Sequence, residues 1–268
     1  MDRIRNALKQ AERDRSKLSA EKSEQSGPAA VATGGEKAMH APDFEDTAQV
    51  RFSRTKTVSV SPELLEANRI VSALPDHELT DAYRVLRTRV LQSLNGHNWN
   101  SVAITSPATG SGKTLTAINL AISLAREVNR TVLLADFDLR QPSIHKYFGF
   151  EPEVGLNDYL FGDARIEDIL FSPSIDRLVV LPGRESVHNS SEMLRSPKME
   201  ALVEEMKGRY KDRLVLFDLP PLLALDDALA FAPYTDSILM VAENGATKRD
   251  DLQKSLEMLK NVPLIGTV

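Results

Sequence analysis

The stretch that most constrains the fold is residues 101–121, which read SVAITSPATGSGKTLTAINLA. It begins with an apolar, β-branched run typical of a buried strand and ends in an apolar pattern typical of a helix. Between the two lies a turn in which Gly110 and Gly112 allow successive backbone N–H groups to point inward at an anion. The stretch therefore predicts a phosphate-binding loop between a strand and a helix.

The predicted ATP-binding residues of this loop are Thr109, Gly110, Ser111, Gly112, Lys113 and Thr114. Lys113 is expected to reach the β- and γ-phosphates, and the Thr114 hydroxyl is suited to bind Mg²⁺. The N-terminus of the following helix presents further N–H groups to the same phosphates. Pro107 stands where the pattern G-x-x-x-x-G-K-[ST] begins with glycine, so the pattern is only partly met. On the loop alone, a glycine-rich turn with an incidental lysine remains an alternative.

Beyond the loop, short apolar runs rich in β-branched residues alternate with helical stretches. The runs begin at Ser101, Thr131, Arg177, Arg213, Ser237 and Pro263. Most are apolar on successive residues, as expected of strands that are covered on both faces. Such alternation predicts an α/β fold of the P-loop NTPase type, with a mostly parallel sheet, helices on both of its faces and an extended N-terminal region.

Three aspartates follow two of these strands. Asp136 and Asp138 end the run VLLADFD, and Asp218 ends the run LVLFD. Ligands of open parallel sheets bind just beyond the carboxyl ends of the strands. A carboxylate at that edge is able to hold Mg²⁺ directly or through water. Together with the loop, the three aspartates predict a Mg²⁺-nucleotide site.

Composition and local patterning divide the chain and exclude some function classes. Residues 1–20 predict a short charged helix, residues 21–60 predict a linker that is too polar to form a core, and residues 61–268 predict the folded domain. The net charge of -5 argues against a general nucleic-acid binder. The absence of cysteine excludes disulfides and thiolate metal sites. No apolar run reaches the length of about 18 residues that crosses a bilayer.

From about Leu79 to Val268 the chain resembles the bacterial tyrosine kinases that regulate capsular and exopolysaccharide synthesis. The Walker A, A′ and B motifs of that family look like SPATGSGKT, LLADFDLRQP and LVLFDLPP here. The family's loop does not require the first glycine, which accounts for Pro107. Further similarity lies in GLNDYLFGD, LPGRESVHNSSEML and DDALAFAPYTDSILMV. ParA- and MinD-like ATPases share the fold but carry a lysine where this chain has Ala108.

The resemblance implies a protein tyrosine autokinase that uses ATP and Mg²⁺ and controls polysaccharide polymerisation or export. The implied catalytic residues are Lys113, Asp136 and Asp138. Lys113 would bind the phosphates, and Asp136 would lie near the attacking hydroxyl as its orienter or base. Thr114 and Asp138 would hold Mg²⁺, and Asp218 would bind the ion through water. An ATP-binding switch without tyrosine phosphotransfer and, less favoured, a partitioning ATPase remain alternatives.

A predicted helix over residues 77–94 carries a possible assembly surface. Its apolar face is expected to comprise Leu79, Tyr83, Leu86, Val90 and Leu94. Asp81 and Arg84, which project away from this face, and Arg87, which flanks it, resemble the family's E-x-x-R-x-x-R motif, which helps the kinase to form a ring. The resemblance thus implies a homo-oligomer. The alternative is a surface ion pair between the first two residues, worth a few tenths of a kcal/mol.

The resemblance also implies a partner and a location. Members of the family work with a membrane polysaccharide co-polymerase, so we expect a cytoplasmic protein, peripheral at the inner face of the plasma membrane, with no nucleic-acid partner. Relatives usually end in a tyrosine-rich tail, whereas this chain has five tyrosines and none after Tyr234. It ends at PLIGTV, which reads as a core strand. The sequence is therefore expected to be either a fragment or a version without the tail.

Overall fold

The computed structural model describes residues 55–74 and 77–268. The predicted helix over residues 1–20 and most of the predicted linker over residues 21–60 lie outside this part of the chain. Within it, no helix is both long enough and apolar enough to cross a membrane.

An eight-stranded sheet forms the centre of the described domain. Its strands are β1 Lys56–Thr57, β2 Ser101–Thr105, β3 Thr131–Asp136, β4 Phe171–Ser172, β5 Leu178–Leu181, β6 Arg213–Asp218, β7 Ser237–Met240 and β8 Leu264–Thr267. The strand order is β1-β4-β5-β3-β6-β2-β7-β8. The pairs are parallel except for β4 with β5. The prediction of an α/β fold with a mostly parallel sheet is confirmed.

Helices cover both faces of this sheet. They are α1 Pro62–Ala67, α2 Thr80–His97, α3 Lys113–Ala125, α4 Ile144–Tyr147, α5 Leu156–Phe161, α6 Ile166–Ile169, α7 Ser190–Leu194, α8 Pro197–Gly208, α9 Asp227–Phe231 and α10 Arg249–Met258. Two 3₁₀ turns, Val71–Ala73 and Ala232–Tyr234, complete the helical elements of the described residues.

Each central strand contributes to two hydrophobic cores, one on either face of the sheet. Along β6, Val215 and Phe217 belong to one core, and Leu214 and Leu216 belong to the other. Successive side chains of a strand point to opposite faces. Because both faces are covered, the strand reads as a continuous apolar run rather than as an alternating pattern.

Helix α3, which follows the loop, is buried along nearly its whole length. Its Asn119 is held in the core because its side chain pairs with backbone groups. The side-chain oxygen accepts from the Ser72 N–H at 2.8 Å, and the amide donates to the Arg69 carbonyl at 3.1 Å. These bonds tie α3 to the segment that precedes α2, so the helix behind the loop is fixed from both sides.

The structure differs from the sequence-based expectations at three places. Strands β1 and β4 were not predicted, and β1 lies within the range expected to be linker; each has two residues, too few to show periodicity. Helix α2 begins and ends three residues later than predicted. Leu79, expected on the buried face of that helix, is 54% exposed because it precedes the first helical turn.

The register of the central strands brings their carboxyl ends to one edge. Asp136 at the end of β3 is paired with Asp218 at the end of β6, and Ile104 of β2 is also paired with Asp218. The loop that follows β2 therefore leaves the sheet beside both aspartates.

Candidate functional site

The loop between β2 and α3 is bent at its two glycines. Gly110 and Gly112 have φ angles of 84° and 82°, which L side chains rarely adopt. A Cβ atom at either position would meet no atom within 4 Å, so it is the backbone conformation rather than close packing that favours glycine there. Pro107 stands outside this bend, and its carbonyl accepts a hydrogen bond from the Leu223 N–H at 3.2 Å. The loop therefore needs no glycine at its first position.

Lys113 is surrounded by acceptors beneath the loop. Its Nζ lies 2.8 Å from Asp138 Oδ2, 3.2 Å from Thr114 Oγ1 and 3.7 Å from Asp218 Oδ1. Burial alone would lower the pKa of Lys113, but the carboxylates of Asp218 and Asp138 outweigh it and raise the pKa to about 12. The lysine is therefore a fixed positive charge at neutral pH.

Asp218 is fully buried at the end of β6. Its Oδ2 accepts a hydrogen bond from the Thr114 hydroxyl at 2.7 Å, whereas its Oδ1 has no hydrogen-bond partner among the described residues. Burial raises the pKa of Asp218, and Lys113 and Thr114 oppose that shift. One acceptor of this carboxylate is thus left over beside the loop lysine.

Asp136 occupies a different environment from the one that the sequence predicted. It is fully buried, and its Oδ2 accepts from the N–H groups of Ser143 and Ile144 at 2.8 and 2.9 Å. Burial and the charge of Asp218 raise the pKa of Asp136 to about 8, although the hydrogen bonds from the two N–H groups act to lower it. An attacking hydroxyl in the cleft would not meet this side chain, because β3 turns back over it into α4.

A cleft of about 830 Å³ opens over the loop, within the range typical of small-molecule sites. The predicted site residues that line it are Thr109, Gly110, Gly112, Lys113, Thr114 and Asp138. Ser111 turns its hydroxyl away to the Ala108 carbonyl at 3.0 Å. The far wall is formed by Arg140, Lys146, Tyr147 and Arg184. The structure thus gathers most of the predicted residues at one opening.

The residues at this opening fit a metal-bound polyphosphate. Two carboxylates and a hydroxyl, from Asp138, Asp218 and Thr114, are the hard oxygen ligands that Mg²⁺ prefers. The described residues contain no group of three acidic or histidine side chains that would enclose a metal ion by themselves. The unpaired Oδ1 of Asp218 is an acceptor that such an ion would use.

The three predicted assembly residues do not share one environment. Asp81 Oδ1 and Arg84 Nη1 form an exposed ion pair of 2.7 Å on α2. Arg87 instead points inward, with its Nε 2.9 Å from Glu127 Oε1 and its Nη1 donating to the Ser123 carbonyl at 3.1 Å. Arg87 thus binds the C-terminal end of α3 within the same chain.

Sequence reasoning assigned no role to several residues beside the cleft. Arg140 and Arg184 line it, and Ser190 and Asp227 lie behind Arg140. They fall in segments already noted for their family likeness, LLADFDLRQP, LPGRESVHNSSEML and DDALAFAPYTDSILMV. That likeness was the signal that pointed to these residues, although it did not show which of them face the site.

Comparison with known proteins identifies a family and several relatives of this chain. The family described as AAA domain matches residues 100–263. The tyrosine-protein kinase YwqD of Bacillus subtilis is 33% identical over 195 residues, which cover 73% of this chain and 81% of YwqD. This chain belongs to the bacterial tyrosine kinase family. A second relative, the EpsB protein of Ralstonia nicotianae, is 32% identical over 82% of this chain. The succinoglycan biosynthesis transport protein ExoP of Rhizobium meliloti is 32% identical over 75% of the chain.

The chain spans 29% of the length of EpsB and 25% of the length of ExoP. Among solved structures, the kinase domain of the Escherichia coli tyrosine kinase ETK matches 79% of this chain and 87% of its own, with a TM-score of 0.70 and 27% identity. The septum site-determining protein MinD of Pyrococcus horikoshii, complexed with Mg-ADP, matches 63% of this chain and 68% of its own, with a TM-score of 0.54 and 25% identity. This member of the kinase family therefore shares its fold with nucleotide-binding proteins.

Proposed function

We propose that this chain is a protein tyrosine kinase that moves the γ-phosphoryl group of ATP to a tyrosine hydroxyl, with Mg²⁺ as its cofactor. The observation that carries the proposal is the cluster beneath the loop, where the Lys113 ammonium lies between Asp138 and Asp218. A fixed positive charge beside two carboxylates and an open glycine-lined loop suits a metal-bound triphosphate. YwqD and ETK are both named as tyrosine kinases, which supports tyrosine as the acceptor.

In the proposed mechanism, the loop from Thr109 to Thr114 binds the phosphates. The backbone N–H groups around Gly110 and Gly112 would donate to the phosphates, and the N-terminus of α3, which begins at Lys113, would add its own donors. Lys113 would exchange its 2.8 Å contact with Asp138 for the phosphate oxygens. The exchange is favourable because it releases the carboxylate for the metal ion while the ammonium keeps an anionic partner.

Thr114, Asp138 and Asp218 would hold Mg²⁺, with Asp218 acting through water. When bound, Mg²⁺ would supply positive charge to the phosphate oxygens as negative charge develops on them. The hydrogen bond between Thr114 and Asp218 keeps two of the three ligand side chains together beside the loop. Phosphoryl transfer has a loose transition state, so the residues of this chain act mainly by positioning the groups and by supplying charge.

We assign Asp136 a positioning role in this reaction. Burial and the charge of Asp218 raise the pKa of Asp136, which disfavours the ionised form that a base requires. Its bonds to the N–H groups of Ser143 and Ile144 fix the segment that runs from Asp138 along the wall of the cleft. A loose transition state makes little demand on a base, so this role is sufficient.

The relatives also support a setting for the reaction. ExoP is named as a succinoglycan biosynthesis transport protein. We therefore propose that this chain regulates capsular or exopolysaccharide polymerisation or export beside a membrane polysaccharide co-polymerase, at the inner face of the plasma membrane. Copies of the chain would assemble through the exposed side of α2 that carries Asp81 and Arg84, which are 79% and 49% exposed.

A second candidate function is an ATP-dependent switch of the same system that transfers no phosphate to tyrosine. It is favoured by the likeness of the fold to MinD, which holds Mg-ADP and is named for septum-site determination rather than for kinase activity. The match to MinD covers 63% of the chain, whereas the match to ETK covers 79%. We therefore place the kinase first.

The decisive experiment incubates the purified chain with Mg²⁺ and ATP, alone and with a synthetic tyrosine-containing polypeptide as an external acceptor. We expect mass increases in steps of one phosphate, mapped to tyrosine, and a faster reaction when the cytoplasmic segment of a co-polymerase is added. Lys113→Met should abolish both ATP binding and transfer, whereas Lys211→Met, at an exposed position across the sheet, should leave both unchanged. Hydrolysis without phosphotyrosine would favour the switch, and hydrolysis stimulated by DNA would favour a partitioning ATPase.

A further inference from the structure

One buried carboxylate near the cleft has no part in the proposed mechanism. Asp227, the first residue of α9, is fully buried, and neither of its oxygens has a hydrogen-bond partner among the described residues. Burial raises the pKa of Asp227, and Ser190 and Arg140 oppose that shift. A fully buried carboxylate whose ion-pair partner, Arg140, lies 4.0 Å away is costly to a protein. Its position therefore calls for a reason other than stability.

The group nearest to this carboxylate is an arginine that lines the cleft. Arg140 Nε donates to the Ser190 hydroxyl at 2.7 Å and lies 4.0 Å from Asp227 Oδ2. Both contacts are made by Nε, the nitrogen closest to the backbone. Within the part of the chain that the structure describes, the two terminal amino groups of Arg140 make no hydrogen bond. Ser190 and Asp227 thus hold the base of a guanidinium group whose donors remain available to a ligand.

The other cations of the cleft wall are arranged differently. Arg184 is neutralised, because it binds Asp158 through two hydrogen bonds and also contacts Glu185 at 2.9 Å. Lys146 is exposed on the short helix α4. Arg140 is therefore the wall cation that is both held in place and provided with unused donors.

The charge balance of the cleft requires such a cation. Asp138 and Asp218 flank a single buried lysine, Lys113, and a triphosphate adds further negative charge to them. In phosphoryl transfer, charge accumulates on the equatorial oxygens of the moving group and on the leaving oxygen. A planar guanidinium group donates to two such oxygens at once, which a lysine ammonium does not do in the same fixed geometry.

We propose that Arg140 is a catalytic residue that contacts the transferring γ-phosphoryl group, and that Asp227 and Ser190 are positioning residues that hold it there. The inference rests on the proposed function, because it requires ATP in the cleft. In the step itself, the bond between the γ-phosphorus and the β–γ bridging oxygen breaks, and the bond to the attacking hydroxyl oxygen forms. ADP leaves with the bonding pair, the hydroxyl proton passes to solvent, and Arg140 keeps its proton throughout.

The test is a double-mutant cycle on the full chain, with initial rates of transfer and nucleotide dissociation constants measured for each variant. Arg140→Ala should lower the turnover number about 100-fold, because it removes a donor to the developing charge, and should change nucleotide affinity less than about threefold. Asp227→Asn keeps the size of the side chain and should lower turnover about tenfold when Arg140 is present. In the Arg140→Ala background, Asp227→Asn should have no further effect.

A structural role for Asp227 predicts the opposite result in the cycle, because loss of packing would lower the rate equally in both backgrounds. Two exposed neighbours serve as matched controls: Asp226→Asn and Arg195→Ala should both retain wild-type turnover. Added guanidinium ion, at concentrations below those that unfold the protein, should partly restore Arg140→Ala and should not restore Lys113→Met. Arg140→Lys should recover part of the rate, since it retains the charge but not the fork.

The outcomes separate this inference from the proposed function. Suppose that the wild type forms phosphotyrosine. If Arg140→Ala then retains a rate within threefold of wild type, or if Asp227→Asn has an undiminished effect in the Arg140→Ala background, the inference fails and the proposed function stands. If the wild type hydrolyses ATP without modifying tyrosine, the same cycle is read on hydrolysis, because Arg140 contacts the γ-phosphoryl group whichever oxygen attacks. Coupling found there supports the inference while the tyrosine assignment fails. A wild type with neither activity overturns both.

Discussion

The aspartates at the two ends of the parallel strands have opposite environments. We call the edge where the strands end, with Asp136 and Asp218, the carboxyl edge, and the edge where they begin, with Asp236, the amino edge. At the carboxyl edge, Asp136 and Asp218 are fully buried, and burial raises the pKa of both. Each keeps one oxygen without a hydrogen-bond partner among the described residues. At the amino edge, the acceptors of Asp236 are in use.

Asp236 lies just before β7 and collects donors from two other elements. Its Oδ2 accepts from the N–H groups of Asn100 and Ser101, both at 3.0 Å, and from the Ser101 hydroxyl at 2.8 Å. Its Oδ1 accepts from Lys207 at 2.6 Å. Burial alone would raise the pKa of Asp236, but Lys207 and these donors outweigh it and lower the pKa.

The difference shows what each carboxylate is for. A half-buried charge that the chain satisfies by itself stabilises the fold, as Asp236 does by joining β2, β7 and α8. A buried charge left with unused acceptors costs stability until a ligand arrives, as expected of a site prepared for a cation or a metal-bound phosphate. Substitution of an aspartate at each edge should therefore affect different properties.

The largest effect is expected at the carboxyl edge. Asp218→Asn should lower phosphoryl transfer about 10³-fold, because it removes a charge that neutralises and positions the metal-bound phosphates. The same change should alter the free energy of unfolding by less than about 1 kcal/mol, since the amide keeps the size of the side chain and an oxygen that accepts from Thr114, and Asp138 still pairs with Lys113. Initial rates and urea unfolding of the ligand-free protein measure both quantities. A destabilised variant that still transfers phosphate would contradict the comparison.

The reverse result is expected at the amino edge. Asp236→Asn should lower the free energy of unfolding by about 3 kcal/mol, because Lys207 loses its partner and the backbone donors lose a charged acceptor. Turnover per folded molecule should stay at the wild-type value, because Asp236 lies across the sheet from the cleft. Asp212→Asn, at an exposed position on the same edge, is the matched control and should shift stability by less than about 0.5 kcal/mol.

The pH dependence of that stability difference follows from the lowered pKa of Asp236. A carboxyl group whose pKa is lower in the folded state stabilises the protein above its unfolded pKa of about 3.9, and the contribution is lost as the pH falls through the folded value. The difference between wild type and Asp236→Asn should be constant above about pH 5 and should shrink as the pH falls below about 4. Urea unfolding at several pH values tests this. A difference that grows in acid would mean that Asp236 is not held as a charged acceptor.

The sequence was sufficient to predict which residues meet beside the loop where their positions depend on local pattern. Lys113 and Thr114 follow from the strand–loop–helix stretch, and Asp218 follows from the end of an apolar run. The surroundings of Asp136 were not predictable, because they depend on how β3 turns back so that Ser143 and Ile144 donate to it. Strand β4, with two residues, acquires its conformation from its neighbours in the sheet rather than from its own periodicity.

Contacts between distant segments were the other part that sequence reasoning missed. Arg140 and Asp227 lie on different elements, and nothing in either segment indicates that the two side chains approach to 4.0 Å. Arg87 shows the same limit. Its spacing from Arg84 suggested a shared surface, but the packing of α2 on α3 turns it toward Ser123 and Glu127.

The amino edge also contains an apparent exception to the comparison. Arg213, the first residue of β6, is 8% exposed and has no carboxylate within ion-pair distance among the described residues. Burial and the charge of Arg209 lower the pKa of Arg213. Its guanidinium carbon lies 4.1 Å from the centre of the Tyr210 ring. The negative face of an aromatic ring attracts a cation, so the chain satisfies this charge with a ring instead of an acid.

The smallest predicted effect tests whether that ring is a sufficient partner. Tyr210→Leu should lower the free energy of unfolding by about 0.5–1 kcal/mol because the ring face is lost, whereas Tyr210→Phe should match wild type because the ring is retained. Thermal unfolding of wild type, both Tyr210 variants and Arg213→Leu, with and without inorganic phosphate, measures these effects. If phosphate stabilised the wild type but not Arg213→Leu, and Tyr210→Leu had no effect, the unpaired cation would mark an anion site. Charged groups without partners would then mark ligand sites at both the carboxyl edge and the amino edge. The distinction between a functional edge and a structural edge would fail.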